Sequence, residues 1–203
     1  MTIEEVRVAP QLLDRQVTDR DGNEYRLMLL RSSDAGAFGD YLEGLSDETR
    51  LLFGPHPLTS EAAQTICGSL DPLHALRFVL WDGDEHIVGY FIIYPGVRHG
   101  EIERYAKEGV ELTDRTDCTF APSVADALQS RGVGSAVFHV LANIVRDLGF
   151  LRMVLSGGTQ EQNVRGIAYY RKNGFREVGT FDTEPSGRGV IHNVDMMLDL
   201  PLS

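Results

Sequence analysis

The run QSRGVGSAVFHVLANIVRDLGF, residues 129–150, decides how the chain is read. Its second part has the pattern of a helix. Val133, Val137, Val140, Leu141, Ile144 and Leu148 recur at the i, i+4, i+7, i+8 repeat of one helical face. A helix is therefore expected over 132–148, with Gly149 as its C-terminal stop. The first part, Gln129-Ser130-Arg131-Gly132-Val133-Gly134-Ser135, lies between a strand and that helix. Glycines there let the backbone approach a ligand closely. The first turn of a helix presents unpaired N–H groups, and the dipole adds positive partial charge. Together they suit an anion, above all a pyrophosphate. Arg131 opposes the dipole of a bare helix and is easier to explain with an anion between it and the amides. Taken alone, Gly132 and Gly134 are equally consistent with a plain turn into a core helix.

Two other phosphate motifs fail. No G-x-x-x-x-G-K-[ST] run occurs. A G-x-G-x-x-G fingerprint would need its third glycine at Val137, and Asp147 comes too early to serve as the ribose-binding acid.

Upstream of this run, EYRLMLLR (24–31) reads as a strand after a polar N-terminal stretch. Ser32-Ser33-Asp34 can cap a helix running toward Gly44, Ser46-Asp47-Glu48-Thr49 opens a second, and Ser60 a third. Phe78–Trp81 and His86–Tyr94 form a strand pair turning at Asp82-Gly83-Asp84. The charged segment 97–109 suits an exposed excursion, and 110–120 a strand stopped by Ala121-Pro122. Downstream, 150–155 is an apolar strand, 163–172 a helix, and 175–181 and 190–198 are final strands joined by EPSGRG. This alternation implies a mixed sheet with helices on both faces.

Composition limits the function. The 203 residues suit one domain, here 1–203, with 1–22 as an N-terminal extension and 95–112 as an insertion between central strands. A net charge of -11 argues against nucleic acid as a partner and could favour cationic substrates such as amines. There is no membrane-length apolar run and no signal-peptide pattern, so no membrane partner and a cytoplasmic location are expected. Two cysteines, Cys67 and Cys118, provide no disulfide framework, and the six histidines show no metal-ligand spacing.

A second run, NVRGIAYYRKNGF (163–175), completes the picture. Gln129-x-x-Gly132-x-Gly134 at a helix start resembles the pyrophosphate motif of the GNAT superfamily of acyltransferases. Asn163, a small residue at Gly166 (where Ala is commoner), Tyr170, Lys172 and Gly174-Phe175 resemble that superfamily's second signature. The two motifs occur in the expected order. The resemblance implies an α/β (α+β) fold with a mostly antiparallel, twisted sheet of about seven strands. It implies acetyl-CoA as co-substrate, no metal, and transfer of the acetyl group to a primary amine by direct attack in a ternary complex. The acceptor would be an amine-bearing small molecule or a protein, and a homodimer is compatible with it.

Residue by residue, the resemblance implies that Gln129, Ser130, Arg131, Gly132, Val133, Gly134 and Ser135 cradle the pyrophosphate. Thr119, Phe120 and Ala121 should pair with the pantetheine arm, and Asn163 should face the pantetheine or the thioester. Tyr170 should protonate the leaving thiolate. In the family a base is often a carboxylate on the strand before the loop. Asp114 shares a strand face with Phe120 by period two, with Asp117 on the opposite face and Glu111 and Glu103 further out. Cys118 reads as buried and structural. Six residues, Ser123 to Leu128, separate Pro122 from Gln129, more than the pattern usually has. Two alternatives stay open: a CoA-binding module without catalysis, and transfer of a longer acyl chain.

Overall fold

The computed structural model describes residues 1–200 apart from Asp84, Ser186 and Arg188. The third residue of the Asp82-Gly83-Asp84 turn and two residues of the EPSGRG loop thus lie outside the described residues. The chain forms two compact units: Met1–Ile93 with Ala121–Gly149, and Tyr94–Phe120 with Phe150–Ser203.

The first unit opens with helix α1 (Ile3–Val8), begun by a reciprocal cap in which the Glu5 amide donates to Thr2 and the Thr2 amide to Glu5. Strand β1 (Arg15–Thr18) follows and pairs antiparallel with β2 (Glu24–Leu29). The polar N-terminal stretch is therefore ordered, although it shows little periodicity. Helices α2 (Ala35–Glu43), α3 (Asp47–Leu52) and α4 (Ser60–Cys67) come next. The N-cap of α4 is Thr59, one residue before the expected Ser60. Strands β3 (Leu76–Asp82) and β4 (His86–Pro95) continue the antiparallel ladder from β2. Helix α6 (Val133–Asp147) buries Val133, Val137, Phe138, Leu141, Ile144 and Val145.

Between β4 and α6 the chain forms α5 (His99–Lys107) and β5 (Asp117–Val124). Two expectations fail here. The charged segment is a helix rather than an exposed excursion, because Tyr105 is fully buried and donates its hydroxyl to the Met196 carbonyl at 2.9 Å. The strand begins at Asp117, not at Val110, and it continues through Pro122 to Val124. Proline only forbids a donor at its own position, so a strand that needs none there can pass through it.

The second unit pairs β5 parallel to β6 (Arg152–Leu155). Strand β9 (Ile191–Asp199) lies antiparallel to β6, to the short β7 (Thr159–Gln160) and to β8 (Arg176–Thr183). Helix α7 (Val164–Lys172) stands between β7 and β8. Among the described residues the strands number nine rather than about seven, in a mixed, largely antiparallel sheet flanked by helices. The ion pair of Asp117 and Arg152 anchors the start of β5. Both carboxylate oxygens of the fully buried Asp117 accept from Arg152 at 2.8 Å, and Thr113 N–H adds a third bond at 2.6 Å. Removing either partner would strand a buried charge, which costs about 3–5 kcal/mol.

Candidate active site

In the first unit, the segment ahead of α6 is built by side chains from elsewhere. The Asp126 carboxylate accepts from Ser46 N–H at 2.9 Å, Ser46 Oγ at 2.7 Å and Thr49 Oγ1 at 2.7 Å. Gln129 Nε2 donates to the Val124 carbonyl at 2.9 Å and to Thr49 Oγ1 at 3.2 Å. The six-residue segment between Pro122 and Gln129 is thus pinned to the start of α3. Nothing in the sequence points to this network, whose partners are about eighty positions apart.

Past Gln129 the backbone takes two uncommon turns. Ser130 has φ 62°, the one non-glycine residue with positive φ among the described residues, and Gly132 has φ 92°. A β-carbon at such an angle is strained. Gly132 is the N-cap of α6, and no side chain caps the helix. The Gln129 Oε1 atom is buried without a hydrogen-bond partner among the described residues. A left-handed glycine that opens a helix and has no side chain to cap it is an arrangement suited to an anion.

In the second unit, Phe120 pairs with Leu155 in the β5–β6 ladder, and its carbonyl accepts from Ser156 N–H at 3.0 Å. Thr119 is fully buried and its hydroxyl has no partner among the described residues. Asn163 is the N-cap of α7. Its Oδ1 accepts from Gly166 N–H at 2.9 Å and its Nδ2 donates to Thr159 Oγ1 at 3.3 Å. Its side chain lies over Gly166 so closely that a methyl group there would come within 2.3 Å of Nδ2.

Tyr170 is 8% exposed, with its ring edge-on to Tyr169 and Phe175 at 5.2 and 5.4 Å between centroids. Burial pushes its hydroxyl pKa well up, which keeps the group protonated across the physiological range.

A model of the Acetyltransferase (GNAT) family matches residues 42–175, a span that includes both helix starts. The chain belongs to this family. Three solved structures show the same fold at low identity. The GNAT domain of S. lividans PAT has a TM-score of 0.68 and 20% identity, covering 94% of this chain and 99% of that one. The Vibrio fischeri ribosomal-protein-S5-alanine acetyltransferase has a TM-score of 0.67 and 16% identity, with 87% and 93% covered. The putative acetyltransferase yncA of Salmonella typhimurium, solved with its cofactor acetyl-CoA, has a TM-score of 0.61 and 16% identity, with 87% and 94% covered. A search of curated proteins found no match.

Within this GNAT chain the expected base residues fall in different settings. Asp114 is exposed in the turn before β5, so the strand alternation that selected it does not reach it. Asp117 is committed to Arg152. Glu103 pairs with His99 at 3.1 Å on an exposed face, and Glu111 is exposed with its carbonyl bound to Arg152. Cys118 is fully buried, its thiol pKa pushed well up by burial, as a structural thiol would be. Among the described residues no group of three or more His, Cys, Asp or Glu could hold a metal, and no helix is long and apolar enough to cross a membrane.

Proposed function

We propose that the chain binds acetyl-CoA by its phosphates at the segment from Gln129 to Ser135 and transfers the acetyl group to a primary amine. The observation that carries this reading is the left-handed Gly132 that opens α6, inside the residues the family model matches. The residues present fit the group: Gly132 takes a left-handed bend that a side chain would strain, and Arg131 next to it carries a positive charge. Bound there, the coenzyme would supply an activated acetyl thioester.

The chain's own contributions follow from chemistry. Backbone amides of Arg131 to Ser135 bind the pyrophosphate, and Arg131 adds a cation. Thr119, Phe120 and Ala121, in the middle of β5, are the stretch of strand assigned to the pantetheine arm. Asn163 is held at the start of α7 with one Oδ1 lone pair and one Nδ2 hydrogen already used, so the other Nδ2 hydrogen and the remaining lone pair of Oδ1 are what it can offer a ligand. Tyr170, protonated at neutral pH, gives its proton to the departing sulfur as the C–S bond breaks, and the proton that the attacking amine sheds to solvent water restores the tyrosine. Asp114 is left out of this proposal, because its turn lies before the strand.

Calorimetry with acetyl-CoA, followed by thiol release in the presence of a panel of amines, tests the reading. Binding with amine-dependent thiol release is expected. Absence of binding at millimolar coenzyme would refute the assignment. Binding without release to any amine would leave a coenzyme-binding module.

A further inference from the structure

The residues before the family match are not idle. The turn joining β1 to β2 is Asp19-Arg20-Asp21-Gly22-Asn23, and it lies in the same unit as α6. It is built around Asp19, which is only 7% exposed. The Asp19 carboxylate accepts from Asp21 N–H, Asn23 N–H and Asn23 Nδ2, each at 2.9 Å, and from the Tyr25 hydroxyl at 3.3 Å. A carboxylate with four donors fixes a turn as firmly as a side chain can.

That fixed turn lays Arg20 against the N-cap of α6. A methyl group built on Gly132 would lie 3.4 Å from Arg20 Cδ and 3.7 Å from its Nε. The Arg20 side chain is nevertheless 65% exposed, and its ionic partner is the equally exposed Asp21 at 3.6 Å. Arg131 is close enough to the same turn for its charge to oppose the burial-driven rise of the Tyr25 hydroxyl pKa. Two guanidinium groups thus stand by one helix start in a chain of net charge -11. A local pair of cations there works against the overall field, and an anion between them resolves the repulsion.

We propose that Arg20 is a coenzyme-binding residue that grips the pyrophosphate from the side opposite the α6 amides, so that the N-terminal hairpin forms part of the coenzyme site. The inference rests on the coenzyme reading above. Arginine suits the task because its planar fork can take two phosphate oxygens at once.

The test is calorimetry of the full chain with CoA and with 3′-dephospho-CoA. Arg20→Ala should weaken both ligands equally, by about tenfold. Arg20→Lys should recover part of the loss. Arg15→Ala, which removes the same charge from β1, should change neither affinity by more than about twofold. Thermal melts without ligand should be unchanged in all three, since these side chains are exposed. Affinity of Arg20→Ala within twofold of the parent for both ligands would overturn the proposal. A loss seen with CoA and not with dephospho-CoA would also overturn it, moving Arg20 to the ribose 3′-phosphate. A parent that binds neither ligand would sink the coenzyme reading itself, a result distinct from either.

Discussion

Helix α6 begins at a left-handed glycine that has no side chain to cap it, whereas α7 begins at Asn163, whose own carboxamide accepts from the Gly166 amide at 2.9 Å. Both helices carry one of the two family signatures, and both need their first-turn donors satisfied. At α7 the chain supplies the acceptor. At α6 the N-cap glycine has no side chain to give, and the approach is fixed from outside, through Asp126 and Gln129 held by Ser46 and Thr49. A cap and a ligand compete for the same amides. The uncapped helix is therefore the one suited to an anion, and the capped one is suited to holding a side chain such as Tyr170 in place.

The difference can be broken most severely at Gly134. Aspartate there would bring a negative charge into the first turn of α6, where the proposal puts the phosphates. Gly134→Asp should weaken CoA binding by at least about 100-fold, read by calorimetry, with the cooperative melt retained. Unchanged affinity would mean that phosphates bind elsewhere. At α7 the corresponding test is Tyr170→Phe, which removes a hydroxyl and leaves the ring packing intact. Its kcat should fall by about 10- to 1,000-fold, the lower part of the range being expected because water can substitute, while acetyl-CoA affinity stays nearly constant. Tyr169→Phe serves as the control, being one residue around the helix. Equal rates for parent and Tyr170→Phe would take the hydroxyl out of the mechanism.

These two helices were also what the sequence displayed best. A long apolar stripe such as Val133, Val137, Leu141 and Ile144 reports its own burial, since the spacing repeats within one element. Elements stabilised from afar left no such mark. Helix α5 reads as a run of charges, yet Arg104 pairs with Asp195 at 2.7 and 3.0 Å and lies 3.8 Å over the Phe181 ring, while Glu101 accepts from Gly157 N–H at 3.1 Å. Each of those partners lies more than fifty positions away in the chain. The start of β5 was misplaced for the same reason: the Asp117–Arg152 pair sets it, 35 positions apart, and without that knowledge Asp114 looked like a strand residue. For the proposed site, the Gln129 to Ser135 backbone and Tyr170 are legible as motifs. The Asp126 network and the Arg20 turn were not, because neither depends on local spacing.

The outside support of the α6 entry gives a smaller, measurable effect. Burial acts to raise the Asp126 pKa, but hydrogen bonds from Ser46 and Thr49 outweigh it and hold the carboxyl below the usual aspartate range. The sign follows from linkage. A depressed folded-state pKa contributes stability above the unfolded value of about 3.9, and that contribution is lost as pH falls through the folded value. Asp126→Ala should therefore cost about 1 kcal/mol in urea unfolding at neutral pH, solvent screening keeping the figure low. The difference from the parent should shrink in acid. A cost that is the same at pH 7 and pH 3 would show that the charge is not what holds the loop.

The smallest effect is the sharpest test of how α7 caps itself. Alanine is ordinarily better than glycine inside a helix by about 0.5–1 kcal/mol. At Gly166, however, the added methyl would meet Asn163 Nδ2 at 2.3 Å, Cγ at 2.7 Å and Oδ1 at 2.8 Å, so the cap would have to swing away. Losing an Asn cap costs about 0.5–2 kcal/mol. The two terms nearly cancel, and Gly166→Ala alone should be neutral or destabilising by up to about 1 kcal/mol. In an Asn163→Ala background the cap is already gone and the methyl has room. There Gly166→Ala should stabilise by about 0.5–1 kcal/mol, reversing the sign. A double-mutant cycle in urea unfolding reads this coupling directly. Equal effects of Gly166→Ala in both backgrounds would mean that the Asn163 side chain does not lie over Gly166. Asn163 would then not be the cap of α7, and the contrast between the two helix starts would fail at its structural root.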